Sequence, residues 1–181
     1  MQDQRLQEVK EALQQSLHQK THPFRFMALG TVDAHNAPSL RTVVLRDISE
    51  HFNLIFYTDM RTEKIRHIKK NNKVSLLLYN PDTFLQLKID GIAHIHNAME
   101  SHKAIWETMH ANAKRDYTAA LPPGAPLDTD TELTFLTDKN YFCSVEVAPY
   151  SIDYLKLQKP HHLRIRFTKT KEMWQSAIVV P

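Results

Sequence analysis

The chain has 181 residues, 42% of them hydrophobic and 24% charged, with a formal net charge of +3 and 11 histidines outside that sum. This is the profile of a folded domain with its own core, not of a disordered chain, and no apolar run approaches the roughly 18–20 residues of a membrane helix. The lone cysteine, Cys143, excludes an intrachain disulfide and a thiolate-rich metal site, and the three glycines, Gly30, Gly91 and Gly124, exclude GxGxxG and Walker-type loops.

The N-terminal stretch MQDQRLQEVKEALQQ lacks the apolar segment of a secretory signal, so a cytoplasmic protein is expected. The mild positive charge suits a small anionic ligand such as a phosphate ester. It is far from the dense basic stripe of a nucleic-acid binder, and neither nucleic acid nor membrane is expected as a partner.

Leu6, Val9, Leu13 and Leu17 recur at three- and four-residue spacing, which predicts an amphipathic helix over residues 1–20. Strands are predicted over Phe26–Val32, Leu40–Arg46 and Phe52–Thr58, with Asp33–Asn36 turning the chain; the connections are too short for crossover helices, so the strands form an antiparallel meander. Thr62–Lys70 reads as a helix with Ile65 and Ile68 inward and charges elsewhere. Val74–Tyr79 and Phe84–Ile95 follow as strands, the second alternating Leu85, Leu87 and Ile89 with Gln86, Lys88 and Asp90.

Glu100–Ala113 reads as one further helix carrying Ile105, Trp106 and Met109, and Leu121–Pro126 as a loop. Phe142–Val147, Ser151–Leu157, Leu163–Phe167 and the tail Ile178–Val180 complete the strands. Without internal repeats or a long linker, residues 1–181 are expected to form one domain. Its class is mainly β, an antiparallel closed or nearly closed barrel with two to three peripheral helices.

Arg41-Thr42-Val43-Val44-Leu45-Arg46 precedes Tyr57-Thr58 and then Arg61-Thr62-Glu63-Lys64. A strand bearing arginines is thus followed by a second strand that feeds a helix start. Free amides and the positive end of the helix dipole suit a phosphate there, and Arg or Lys adds charge-assisted hydrogen bonds. Arg41 and Arg46 are an odd number of positions apart and point to opposite faces of a flat strand. On pattern alone, a solvated edge strand and helix explain these charges equally well.

The stretch from Leu29 to Tyr79, with RTVVLR, FYT, TEK and NNKVSLLLY in order, resembles the core of the pyridoxamine 5'-phosphate oxidase family. Gln86 stands where that family has a flavin-contacting glutamine, ahead of a shared Gly91, and Leu163-Arg164-Ile165-Arg166-Phe167 follows its closing strands. The resemblance implies an FMN-binding split β-barrel, a homodimer with FMN at the interface, and flavin oxidoreductase chemistry on a small-molecule substrate. By it, Arg41, Thr42, Val43, Val44, Leu45 and Arg46 line the FMN and Tyr57 and Thr58 sit against the flavin. Thr62 and Lys64 take the phosphate, Gln86 bonds a polar edge of the cofactor, and Arg166 reaches it across the dimer seam.

Three departures narrow the reading. The family's S-R-K at the phosphate appears as Thr62-Glu63-Lys64, with Arg61 the candidate to replace the lost charge, and its late flavin-contacting tryptophan aligns with Leu155. The Tyr-x-x-x-Arg-x-x-x-Ser series that binds the vitamer phosphate does not lie on Met109–Tyr117. The Arg-x-His substrate pair falls on His162 and Arg164 in reversed order. The chain therefore resembles the family's related FMN-binding branch, and the resemblance implies FMN binding rather than vitamin B6 oxidation.

His94 and His96 share a strand face, the single hint of a haem-handling barrel. No third ligand accompanies them, so no metal site is expected. A non-catalytic FMN-binding protein is the other alternative. Cys143 reads as a buried small hydrophobe, and Trp106 and Trp174 as packing residues.

Overall fold

In the computed structural model of the protein, which describes residues 2–97, 99–128, 132–171 and 173–181, strand formation follows inward–outward alternation. The strands are β1 (Phe26–Val32), β2 (Pro38–Ile48), β3 (Leu54–Asp59), β4 (Lys73–Asn80), β5 (Leu85–His96), β6 (Phe142–Lys156), β7 (Leu163–Thr170) and β8 (Met173–Val179). Met27, Leu29 and Thr31 of β1 point inward, as do Leu76 and Leu78 of β4 and Leu87 and Ile89 of β5, all buried. The helices are α1 (Gln2–His18), α2 (Glu63–Lys70), α3 (Met99–Thr108) and α4 (Ala111–Arg115).

The sheet runs β3-β2-β1-β4-β5-β6-β7-β8, all antiparallel, and β3 pairs again with β6. Six strands thereby close into a barrel, and β7 and β8 continue outside it. The mainly β split-barrel class expected from the sequence is the one observed. α1 lays Leu6, Val9 and Leu13 onto the core at one mouth, near Phe24. α2 covers the other mouth, against β1 and β5, with Ile65 and Ile68 inward.

β6 departs from expectation. Phe142–Val147 and Ser151–Leu157 are not two strands but parts of one, 15 residues long. Its first half pairs with β3 and its last residues with β7, while β5 spans both. Between the halves the register slips: Gly91 faces Pro149 and Asp90 faces Ser151, leaving Tyr150 as an extra residue. Proline donates no ladder bond and is tolerated at a bulge, so the apparent break in the sequence is a bend in a continuous strand.

The helix expected over Glu100–Ala113 is also corrected, because α3 ends at Thr108 and α4 begins at Ala111. His110 adopts extended backbone between them, and its Nδ1 accepts from Asn112 N at 3.3 Å as the N-cap of α4.

Opposite the bulge, a side chain at position 91 has nowhere to go. A Cβ there would stand 2.6 Å from Val147 Cγ1 and 2.8 Å from the Ala148 carbonyl oxygen. Gly91→Ala is expected to destabilise the fold by about 1–3 kcal/mol, the usual cost of overpacking. Urea unfolding measures it, and an unchanged midpoint would mean that β5 and β6 part at no cost.

Candidate functional site

At the barrel mouth under α2 the chain gathers two cations. β3 brings in Thr58 and Asp59, both buried, and Thr62 opens α2. The Thr62 hydroxyl donates back to the Asp59 carbonyl at 2.8 Å and makes no cap bond to the first amides of α2. Lys64, half-buried on the first turn, donates Nζ to Thr58 Oγ1 at 3.1 Å. Burial pushes the Lys64 ammonium below the ordinary lysine range, and the Arg41 charge pushes it further.

Arg41 belongs to the inward-facing set of β2 and closes the cluster. Its Nη1 donates to Thr31 Oγ1 at 2.6 Å and to the Ser39 and Leu29 carbonyls at 3.0 and 3.3 Å, and its Nη2 donates to Ser39 Oγ at 2.7 Å. Desolvation lowers its pKa from the usual value. Among the described residues neither Arg41 nor Lys64 enters an ion pair.

Asp59, the acid whose charge reaches Lys64, is already engaged. Asp59, 3% exposed, receives Arg61 Nη2 at 2.7 Å and Nε at 3.1 Å. Arg61, expected beside the phosphate, is turned to another task. Its Nη1 and Nη2 donate to the carbonyls of Ala120 and Ala119 at 3.1 and 2.8 Å, and its guanidinium lies over the Tyr141 ring at 3.4 Å. It latches the chain beyond α4 to the β3–α2 turn.

The remaining candidate residues separate by face. Val43 and Leu45 are core side chains, so only their backbone is open to a ligand, while Thr42, Val44 and Arg46 lie on the outer face. The β2–β3 register slips between Leu45 and Asp47, making Arg46 the bulged residue. Its guanidinium lies 5.9 Å from the Tyr57 ring centroid. Tyr57 meets Phe142 edge-on at 5.1 Å, Tyr117 meets Phe142 at 5.1 Å, and Trp106 meets Phe142 at 5.9 Å. Burial drives the Tyr117 hydroxyl up to about 12, so it stays protonated at neutral pH.

Gln86 faces outward on β5, between its cross-strand neighbours Tyr79 and Leu155. Arg164 grips Asp153 through Nε at 2.9 Å and Nη2 at 3.1 Å, and exposed Arg166 approaches the same carboxylate at 3.6 Å. His162 accepts from Gln158 N at 3.1 Å in the β6–β7 connection. One copy of the chain does not bring Arg166 to Tyr57. Tyr57 pairs with Ser144 and Arg166 with Asp153, about 30 Å further along β6 at roughly 3.3 Å per residue.

His94 and His96 do share a face, but His96 Nε2 is 2.8 Å from Glu146 Oε2. No group of three or more His, Cys, Asp or Glu able to hold a metal occurs among the described residues. Cys143 is fully buried, its thiol pushed up to about 12 by burial. Sequence reasoning missed Thr31, His67, Tyr117 and Phe142. Thr31 was legible as the last inward position of β1, and His67 as the residue one turn beyond Lys64. Both are buried at this mouth, so α2 is not charged on every face but Ile65 and Ile68.

The model of the family described as pyridoxamine 5'-phosphate oxidase, FMN-binding domain, matches residues 6–97. The chain belongs to this family. The match runs from α1 through β5 and includes the Arg41–Lys64 cluster.

A pyridoxine/pyridoxamine 5'-phosphate oxidase of Vibrio cholerae serotype O1 is 34% identical over 91 residues, covering 50% of this chain and 43% of that protein. One of Haemophilus influenzae is 23% identical over 172 residues, covering 88% and 81%. Among solved structures, a pyridoxamine 5'-phosphate oxidase-related, FMN-binding protein of Nostoc punctiforme superposes with a TM-score of 0.79 at 21% identity, over 96% of both chains. PhzG of Burkholderia lata, in complex with tetrahydrophenazine-1-carboxylic acid, reaches 0.79 at 17% identity, over 98% of this chain and 92% of its own. At such identities the two structures speak for the shared fold. Two basic side chains outside any ion pair among the described residues, beside two threonine hydroxyls and the open start of a helix, suit the phosphate that an FMN-binding domain has to hold.

The depressed Lys64 pKa has a testable sign. A lysine that holds its proton less tightly when folded lowers stability fully below its folded pKa, and that loss fades as pH climbs toward the ordinary 10.5. Lys64→Met is therefore expected to raise the melting temperature of the flavin-free protein at pH 7 in phosphate-free buffer. A gain of roughly 2–4 °C corresponds to each kcal/mol, and the gap should close toward pH 10. A lower melting temperature at pH 7 would show that the ammonium is not strained there.

Proposed function

We propose that this chain is an FMN-dependent oxidoreductase, a cytoplasmic homodimer whose flavin lies between the two copies and acts on a small-molecule substrate. The observation that carries the reading is the half-buried pair of Arg41 on β2 and Lys64 on the first turn of α2, neither of which enters an ion pair among the described residues. Lys64, Thr62 and Thr58 receive the FMN phosphate together with Arg41. The β2 backbone at Val43–Leu45 and the outward Thr42, Val44, Arg46 and Tyr57 border the ring. Gln86 bonds a polar edge of the cofactor, and Arg166 comes from the second copy.

A bound flavin supplies a hydride acceptor at N5; the chain's own side chains position it and tune its charge. Arg46 stands beside Tyr57, where its positive charge would favour negative charge on a bound ring. Phe142, Tyr117 and Trp106 extend an apolar wall from Tyr57 that excludes water from the reacting face. Arg164, with both its hydrogen bonds directed to Asp153, orients that carboxylate next to Arg166; His162 stands at the entrance of the same arm as the candidate substrate contact.

Two features support the dimer. Phe26, Leu40, Leu77 and Tyr79 project from the outer faces of β1, β2 and β4 at 53%, 76%, 42% and 44% exposure, an apolar surface of the kind that marks an interface. The separation of Arg166 from Tyr57 also requires a second copy if both are to touch one flavin.

After incubation with FMN and removal of the excess, the purified protein is expected to retain a flavin absorption spectrum that Lys64→Ala weakens. Absence of flavin from both would sink the cofactor reading. Replacing Leu40 and Leu77 by aspartate is expected to give a folded monomer without flavin in analytical ultracentrifugation, since both side chains point away from the barrel. A dimer that still holds FMN would refute the shared site. Turnover of any amine, alcohol or reduced ring offered to the holoprotein would separate the enzyme from a protein that only stores FMN.

A further inference from the structure

Arg41 is held from behind by two buried side chains. Thr31, 3% exposed, ends the inward row of β1, and His67, 7% exposed, lies one helical turn beyond Lys64 on α2. Arg41 Nη1 stands 2.6 Å from Thr31 Oγ1, which stands 3.0 Å from His67 Nδ1. A guanidinium carries donors alone, so Thr31 accepts from Arg41 and has one hydroxyl proton left to give. The remaining lone pair and the hydroxyl proton of Thr31 both lie open to Nδ1, and the His67 tautomer sets which of the two atoms donates. With Thr31 and the Leu29 and Ser39 carbonyls on Nη1 and Ser39 Oγ on Nη2, the Nε–H of Arg41 has no acceptor among the described residues.

We propose that His67 is a positioning residue of the anion site, acting through Thr31 to hold the Arg41 guanidinium toward Lys64 so that both cations meet one phosphate. α2 thus carries both halves of the arrangement. Lys64 reaches the ligand directly, and His67, on the same face three residues on, fixes the cation supplied by β2. An aliphatic side chain would fill the volume of the imidazole but would leave the Thr31 hydroxyl without this partner, and a hydroxyl free to turn no longer fixes Arg41. The proposal rests on the phosphate reading of this mouth and adds to it the residue that orients its second cation.

The test compares FMN with riboflavin, which has the same ring and no phosphate, by fluorescence titration, with thermal unfolding of each variant alongside. His67→Leu and Thr31→Val are each expected to weaken FMN about tenfold and riboflavin less than about twofold, as loss of one charge-assisted bond predicts. His67→Asn, whose amide oxygen can stand near Nδ1, and Thr31→Ser are expected to restore the preference for FMN. The His67→Leu/Thr31→Val double variant should be no weaker than either single one, because both break one relay.

Equal losses for FMN and riboflavin, or His67→Asn binding no better than His67→Leu, would reduce His67 to packing and overturn the proposal. If Lys64→Ala abolishes the preference for FMN while His67→Leu keeps it, the phosphate site stands and the relay falls. If the unaltered protein does not prefer FMN to riboflavin, both fall.

Discussion

Gly91 faces Val147 and Ala148 across a gap that admits no Cβ, and much of the molecule follows from that close approach. It lets β5 stay paired to β6 through the bulge at Tyr150, so a single strand serves two partners. Before the bulge β6 closes the barrel against β3, which fixes Thr58 over Cys143 and beside Lys64. Beyond it β6 leaves the barrel and carries Asp153 out to Arg164 and Arg166. A straight β6 in unbroken register would turn every residue after Tyr150 to the opposite face, and Asp153 would then point into the barrel.

The electrostatics of the mouth follow from how its acids are engaged. Asp59 lies close enough to raise the Lys64 pKa slightly, but both its oxygens face Arg61. Arg61 in turn holds the Ala119 and Ala120 carbonyls. Lys64 and Arg41 are left to repel each other in a partly desolvated pocket. Such a pair lowers stability until an anion arrives, whereas a salt bridge across the mouth would stabilise the empty barrel and compete with every ligand. Exposed Arg46 stands apart from this pair, on the outer face of β2 with its guanidinium 5.9 Å from the Tyr57 ring centroid.

The barrel was legible in the sequence because its strands alternate and because β1, β2 and β3, like β4 and β5, are joined by turns too tight for helices. Phe26–Val32 was read to the residue. What the sequence hid were effects of pairing. Pro149 and Tyr150 look like the end of a strand, and only the slip against Gly91 shows that β6 runs on. His110 looks like an ordinary helical residue, and its role as a cap separates α3 from α4. At the site, Lys64 was found through its neighbours in sequence, whereas Arg61 sits in the same motif and does something else. Its partners Ala119, Ala120 and Tyr141 are some 60 to 80 residues away, and no local pattern announces them. Thr31 and His67 each follow the periodicity of their own element, but their contact, spanning 36 positions, leaves no local pattern.

The division of labour along the chain has a physical basis. Residues up to β5 build the closed mouths, the cation pair and Gln86, all held by ladder bonds and buried side chains. The segment between α4 and β6 is tied to that frame at its base: Met60 N donates to the Tyr141 carbonyl at 2.8 Å, Tyr141 N to the Tyr117 carbonyl at 2.8 Å, and Arg61 adds its clamp. Between these ties, Ala120 N to Thr134 O at 2.9 Å and Leu136 N to Thr118 O at 2.8 Å close a loop rich in proline. The tie from this base to the β3–α2 turn runs through Arg61 into Asp59 and not through Lys64 or Arg41. The aromatic wall of Trp106, Tyr117 and Phe142 stands on that anchored base. The cation pair and the aromatic wall therefore have separate supports in this chain, with Arg61 as the joint between them.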